Sequence, residues 1–123
     1  MHKRFLPLTG ALALAALMSG PAHAQTEIQW WHSMGGALGE WVNDLAKQYN
    51  ASQSTYKVVP TYKGTYDESM AGAIAAFRAG NAPHILQVFE VGTATMMASK
   101  GAIVPVGEIM KKAGVTFDPG AYV

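Results

Sequence analysis

Four side chains in this sequence stand where ligand chemistry is feasible: Glu90, Tyr66, His32 and Ser33. Glu90 closes an apolar run, His84 to Phe89, and Gly92 and Thr93 follow at once. A carboxylate at the carboxyl end of a buried strand, beside a new helix, occupies the place where open α/β sheets bind ligands. Ionised, it only accepts hydrogen bonds, and it can take two hydroxyls, as glycerol or sugar recognition requires. The plainer reading, a solvated strand-end glutamate, fits the position equally well. Tyr66 follows Gly64 and Thr65 at a helix start. A phenol there can stack on a ligand or donate to a phosphate oxygen, and free helix N–H groups favour anions. Spacing alone favours a packing role, because Tyr66 also begins an apolar stripe with Met70 and Ile74. His32 and Ser33 are a weaker pair at the end of an earlier strand. A lone histidine is often structural, and no aspartate lies nearby to orient this one as a base.

Other chemistries lack their residues. A dinucleotide site wants G-x-G-x-x-G after the first strand, but Met34-Gly35-Gly36-Ala37-Leu38-Gly39 lacks the first glycine. The second strand ends in Tyr62 and Lys63, not in the acid a ribose needs. Beyond residue 24 the histidines are His32 and His84, without metal-ligand spacing to a carboxylate. No nucleophile elbow is present. The expectation is a protein with no metal, no cofactor and no enzymatic activity.

The elements that must position the four residues alternate. Glu27 to Trp31 reads as a strand, and His32 to Gly36 as a loop. Leu38, Trp41, Val42, Leu45, Ala46 and Tyr49 then form the stripe of an amphipathic helix, ended by Asn50 and the polar run Ser52 to Ser54. The three tryptophans, Trp30, Trp31 and Trp41, read as core. Tyr56 to Tyr62 is a second strand, with Pro60 pointing to an edge position or a bulge. Thr65 and Glu68 have capping-box spacing. The helix they open carries Tyr66, Met70, Ile74 and Phe77 on its apolar face, with Ala71, Ala75 and Ala76 filling in, and stops at Gly80-Asn81 before Pro83. A third strand, His84 to Phe89, leads to a short helix, Ala94 to Lys100, an extended piece over Ile103 to Val106, and a last helical stretch, Gly107 to Ala113. The order β-α-β-α-β-α implies parallel strands in one α/β layer, with three strand ends pointing the same way.

The chain ends frame this unit. Residues 1–24 have a basic start, an apolar run from Phe5 to Met18, and an Ala22-His23-Ala24 cleavage pattern. They are expected to be an export signal cut after Ala24, leaving 25–123 as an incomplete α/β lobe. Cysteine is absent, so neither a disulfide nor a lipid-acylated anchor is available. That points to a periplasm. Without Lys3 and Arg4, seven basic residues face eight acidic ones, which is no footprint for nucleic acid. The chain stops at Ala121-Tyr122-Val123 with no terminating feature, and reads as a truncated frame or a fragment.

Four stretches carry a resemblance: WHSMGGALG from Trp31, VVPTYKGTYDES from Val58, AGAIAAFRAGNAP from Ala71, and ILQVFEVGTATMMASKGAI from Ile85. Through them the chain resembles the start of the periplasmic solute-binding proteins of ABC importers, and in particular the branch that takes sn-glycerol-3-phosphate. The resemblance implies part of the first lobe of a two-lobed type II binding-protein fold, with the second lobe and the hinge return absent. It implies capture of a glycerol phosphate, or a glycerophosphodiester, and delivery to an inner-membrane permease complex by a monomer. A tyrosine in the K-G-x-Y loop and a glutamate in the Q-V-aromatic-E-V-G segment hold ligand in that family. They match Tyr66 and Glu90, with the phosphate end given to Tyr66 and the glycerol hydroxyls to Glu90. His32 and Ser33 share the rim. The alternatives are a sugar- or oligosaccharide-binding member of the same family, or an exported α/β enzyme.

Overall fold

The computed structural model describes residues 24–122; the expected signal, apart from Ala24, lies outside them. Three strands form one parallel sheet in the order β2-β1-β3, with β1 Thr26–His32, β2 Tyr56–Tyr62 and β3 Ile85–Leu86. Helix α1 (Gly36–Ser52) joins β1 to β2 and packs on β2, and α2 (Tyr66–Arg78) joins β2 to β3 and packs on β1. After a single 3-10 turn, Glu90–Gly92, come two short helices, α3 (Thr93–Ala98) and α4 (Val106–Lys112). The α/β order, the parallel sheet and the helices flanking it are those read from the sequence.

Local chemistry accounts for most boundaries. β2 pairs with β1 in unbroken register from Thr26↔Tyr56 to His32↔Tyr62, so Pro60 sits in an edge strand without a bulge. The Asn50 side-chain amide donates to the Val58 carbonyl at 2.8 Å and accepts from the Val58 N–H at 2.7 Å, fastening the end of α1 to β2. At the start of α2 the Thr65 hydroxyl accepts from the Glu68 N–H at 3.3 Å, and the Glu68 carboxylate accepts from the Thr65 N–H at 2.7 Å. That is the reciprocal capping box. The helix ends where Gly80 takes a φ of +76°, a left-handed conformation that costs a residue without Cβ little, and Asn81 N–H returns to the Ala76 carbonyl at 2.9 Å.

Three expectations are corrected. The third strand spans two residues instead of the six from His84 to Phe89, pairing Trp30↔Ile85 and Trp31↔Leu86. Beyond Leu86 the chain leaves the ladder and turns into the 3-10 segment. The piece expected to be extended over Ile103 to Val106 is one residue shorter, because α4 begins at Val106. The apolar stripes are also covered unevenly. On α1 only Val42 and Ala46 are buried, while Leu38, Trp41, Leu45 and Tyr49 face solvent, Trp41 at 62% exposure. On α2 the most buried positions are Ser69 and Ala73, and Phe77, Ala71 and Ala75 are exposed. Helices α2, α3 and α4 with β3 surround an apolar groove of about 620 Å³, lined by Ile74, Phe77, Leu86, Met96, Ile103 and Ile109 among others.

Gly92 brings the 3-10 turn against Met70 of α2. A Cβ there would meet Val88 Cγ1 at 3.0 Å, Met70 Sδ at 3.1 Å and Phe89 Cε1 at 3.1 Å. Gly72, in the exposed middle of α2, has nothing within 4 Å of the same position. Opposite outcomes are expected. Gly92→Ala lowers stability by about 1–3 kcal/mol through overpacking. Gly72→Ala raises it by up to about 1 kcal/mol through helix propensity. Chemical denaturation of the two variants beside the parent chain checks both signs.

Candidate functional site

The parallel sheet brings its three carboxyl ends to one side, and the four sequence-selected residues lie there. Tyr66 opens α2, one short loop beyond β2. Its ring stacks on Phe89, with centroids 5.0 Å apart and planes 27° from parallel. Glu90 is the next residue, exposed at the start of the 3-10 turn. The stack therefore sets a half-buried phenol one residue from an accessible carboxylate. These two form the outer part of the rim.

His32 and Ser33 sit deeper. The sequence placed the His32 ring within reach of ligand; in the structure it is 3% exposed, behind the rim. It lies between Trp30 and Tyr62, with ring centroids 6.0 and 6.1 Å away. Ser33 is half-buried, and its backbone meets the residue just past β3, its N–H donating to Gln87 Oε1 at 2.9 Å. The inner pair thus backs the rim, and Gln87 joins it to the segment that bears Glu90. Gln87 escaped the sequence reading, although a lone polar residue in the run HILQVF was a visible signal.

The electrostatics differ between the two longer helix starts. α2 begins with Asp67 and Glu68, and its capping box already uses the Glu68 carboxylate. The hydrogen bonds from Thr65 hold that carboxyl below its ordinary pKa, so it stays charged. Two carboxylates in the first turn offset the positive end of the helix dipole, leaving little for an anion. α1 has no acidic residue in its first turn and no side-chain cap. Lys63, in the loop after β2, lies over the Trp31 ring with Nζ 4.0 Å from its centroid, a cation–π contact. Among the described residues no group of three or more His, Asp or Glu is placed to hold a metal ion. The apolar groove beside β3 is lined by none of the four residues.

Burial lowers the His32 pKa below 6.5, and the Met34 backbone nearby opposes the shift in smaller part. The folded chain therefore binds a proton here less readily than the unfolded one. The contribution is present above about pH 6.5 and is lost as pH falls from there through the lower folded-state value. Stability at pH 5.5 is expected to be below that at pH 7.5, and His32→Asn is expected to shrink the difference. Denaturation midpoints of both chains at the two pH values test it.

No protein-family model matches the chain. Curated relatives do. It is 57% identical over 113 residues, 92% of its length, to the sn-glycerol-3-phosphate-binding periplasmic protein UgpB of Escherichia coli (strain K12). It is 53% identical over 115 residues, 94% of its length, to the protein of the same name from Brucella abortus (strain 2308). In each case the match covers 26% of the relative, so the chain spans about a quarter of the length of these proteins. Among the described residues no helix is long and apolar enough to cross a membrane. Along its own length, this chain is similar to about a quarter of the length of these sn-glycerol-3-phosphate-binding periplasmic proteins.

Proposed function

We propose that this chain supplies one wall of a binding site for sn-glycerol-3-phosphate in a non-enzymatic solute-binding protein. The observation that carries the reading is the Tyr66–Phe89 stack beside Glu90, within a sequence 53–57% identical to proteins named for that ligand. Glu90 accepts the glycerol hydroxyls. Exposed, its carboxyl group offers two acceptor oxygens, which suits a polyol. Tyr66 gives its hydroxyl to the phosphate end. The first-turn carboxylates of α2 make a poor counter-charge for a phosphate, so the main cationic partner belongs to sequence that the longer relatives carry beyond this quarter. In the same reading the protein is exported by a signal ending at Ala24, works in the periplasm as a monomer, and hands its ligand to a membrane permease.

NMR titration of the chain with sn-glycerol-3-phosphate tests the site. Shift changes are expected at Tyr66, Phe89 and Glu90, and none with maltose at the same concentration. Glu90→Gln is expected to weaken binding at least about 10-fold, the worth of hydrogen bonds to a charged acceptor. Tyr66→Phe is expected to weaken it about 2–10-fold, for one neutral bond. Shift changes confined to residues far from the three strand ends would sink the assignment.

A further inference from the structure

We infer that Gln87 is the positioning residue of this rim: its side chain serves as an extra rung of the sheet and sets where Phe89, Tyr66 and Glu90 stand. The inference rests on the reading of Tyr66 and Glu90 as ligand contacts. β3 pairs through only two residues, Ile85 and Leu86, yet the chain stays fastened to β1 on both sides of them. At the amino end the Gln29 N–H donates to His84 Nδ1 at 3.0 Å, and the His84 N–H donates to the Gln29 carbonyl at 3.1 Å. At the carboxyl end the Gln87 N–H donates to the Trp31 carbonyl at 2.9 Å, and the Ser33 N–H donates to Gln87 Oε1 at 2.9 Å. Gln29, Trp31 and Ser33 alternate along one edge of β1, so two side chains stand in for the carbonyls that a longer β3 would present.

The two side-chain rungs have different consequences. His84 lies at the end of β3 away from the rim. Gln87 is two residues from Phe89 and three from Glu90, and it is the last fixed point before the chain turns. A main-chain rung from the residue at 87 would require the chain to continue as a strand, carrying Glu90 along the sheet. The side-chain rung holds β1 and frees the backbone to bend into the 3-10 turn, which lets Phe89 meet Tyr66. An acceptor at this reach is the requirement. Glutamate retains it, and leucine keeps the volume without it.

The test compares the parent chain with Gln87→Leu, Gln87→Glu and His84→Ala by amide exchange and NMR without ligand, then by titration with sn-glycerol-3-phosphate. Gln87→Leu is expected to speed Ser33 amide exchange at least about 10-fold, shift the Tyr66 ring and Glu90 amide signals, and weaken binding more than it lowers the denaturation midpoint. Gln87→Glu is expected to restore all three. His84→Ala, which removes the other rung, is expected to leave the Tyr66 and Glu90 signals in place. Unchanged Tyr66 and Glu90 signals in Gln87→Leu overturn the inference, as does an equal disturbance from His84→Ala. If Gln87→Leu fails to fold, the parent decides: a Ser33 amide exchanging as fast as an exposed loop amide overturns the inference, and a protected one with Gln87→Glu matching the parent supports it. The ligand-free signals judge Gln87 even where titration fails, so a wrong ligand is told apart from a wrong positioning residue.

Discussion

Two parallel strands cannot be joined by a tight turn; the chain must cross back before it can pair again. β1 is paired in parallel on both edges, so the sequence has to make two such returns, α1 and α2. Each return brings the following strand back to the same starting side, and the three carboxyl ends collect on the other. His32, the Tyr62–Tyr66 turn and the Phe89–Glu90 bend owe their proximity to this constraint and to no attraction between them. The attractions then refine it. Lys63 N–H donates to the His32 carbonyl at 2.9 Å, Ser33 is held by Gln87, and the Tyr66 ring lies on Phe89.

The rim is built in two tiers of opposite character. The inner tier is covered, and its polar atoms are short of partners: His32 Nδ1 and Ser33 Oγ are both buried without a hydrogen bond. A polar atom in that position costs stability, and for His32 it also biases the ring against the proton. The outer tier is accessible and acidic, with Glu90 beside a helix start that carries Asp67 and Glu68. An acceptor-rich surface of this kind matches hydroxyl donors and opposes anions. Such a surface suits a polyol better than a phosphate.

Much of this was legible in the sequence, and the reasons are local. β2 was read at its observed bounds because turn residues flank an apolar, β-branched run. The start of α2 was read from Thr65 and Glu68, whose reciprocal bonds span three residues. Tyr66 and Glu90 stood out because strand ends and a family motif coincide there. Other features depend on partners distant in sequence. An apolar run such as HILQVF shows what wants to leave water, and it says nothing about how many rungs will form. The stripe on α1 identified the helix, but only Val42 and Ala46 of it are buried, because coverage depends on what else packs there. The Gln87 bond comes from β1 meeting the chain just past β3, the His32–Tyr62 contact comes from β1 meeting β2, and no window of neighbouring residues contains either pair.

The brevity of β3 also bears on how firmly each strand is held. β1 and β2 meet along seven residues, with partners 30 positions apart, as Thr26 and Tyr56 show. The bond from Ser33 to Gln87 closes a separation of 54. That difference in loop length adds only about 0.5 kcal/mol of closure entropy. The larger handicap is the return on closure, since two ladder pairs and two side-chain rungs must hold the strand in place. β3 is accordingly the more weakly held of the two strands that flank β1. The segment that carries Glu90 is thus fastened to β1 by fewer rungs than β2 is.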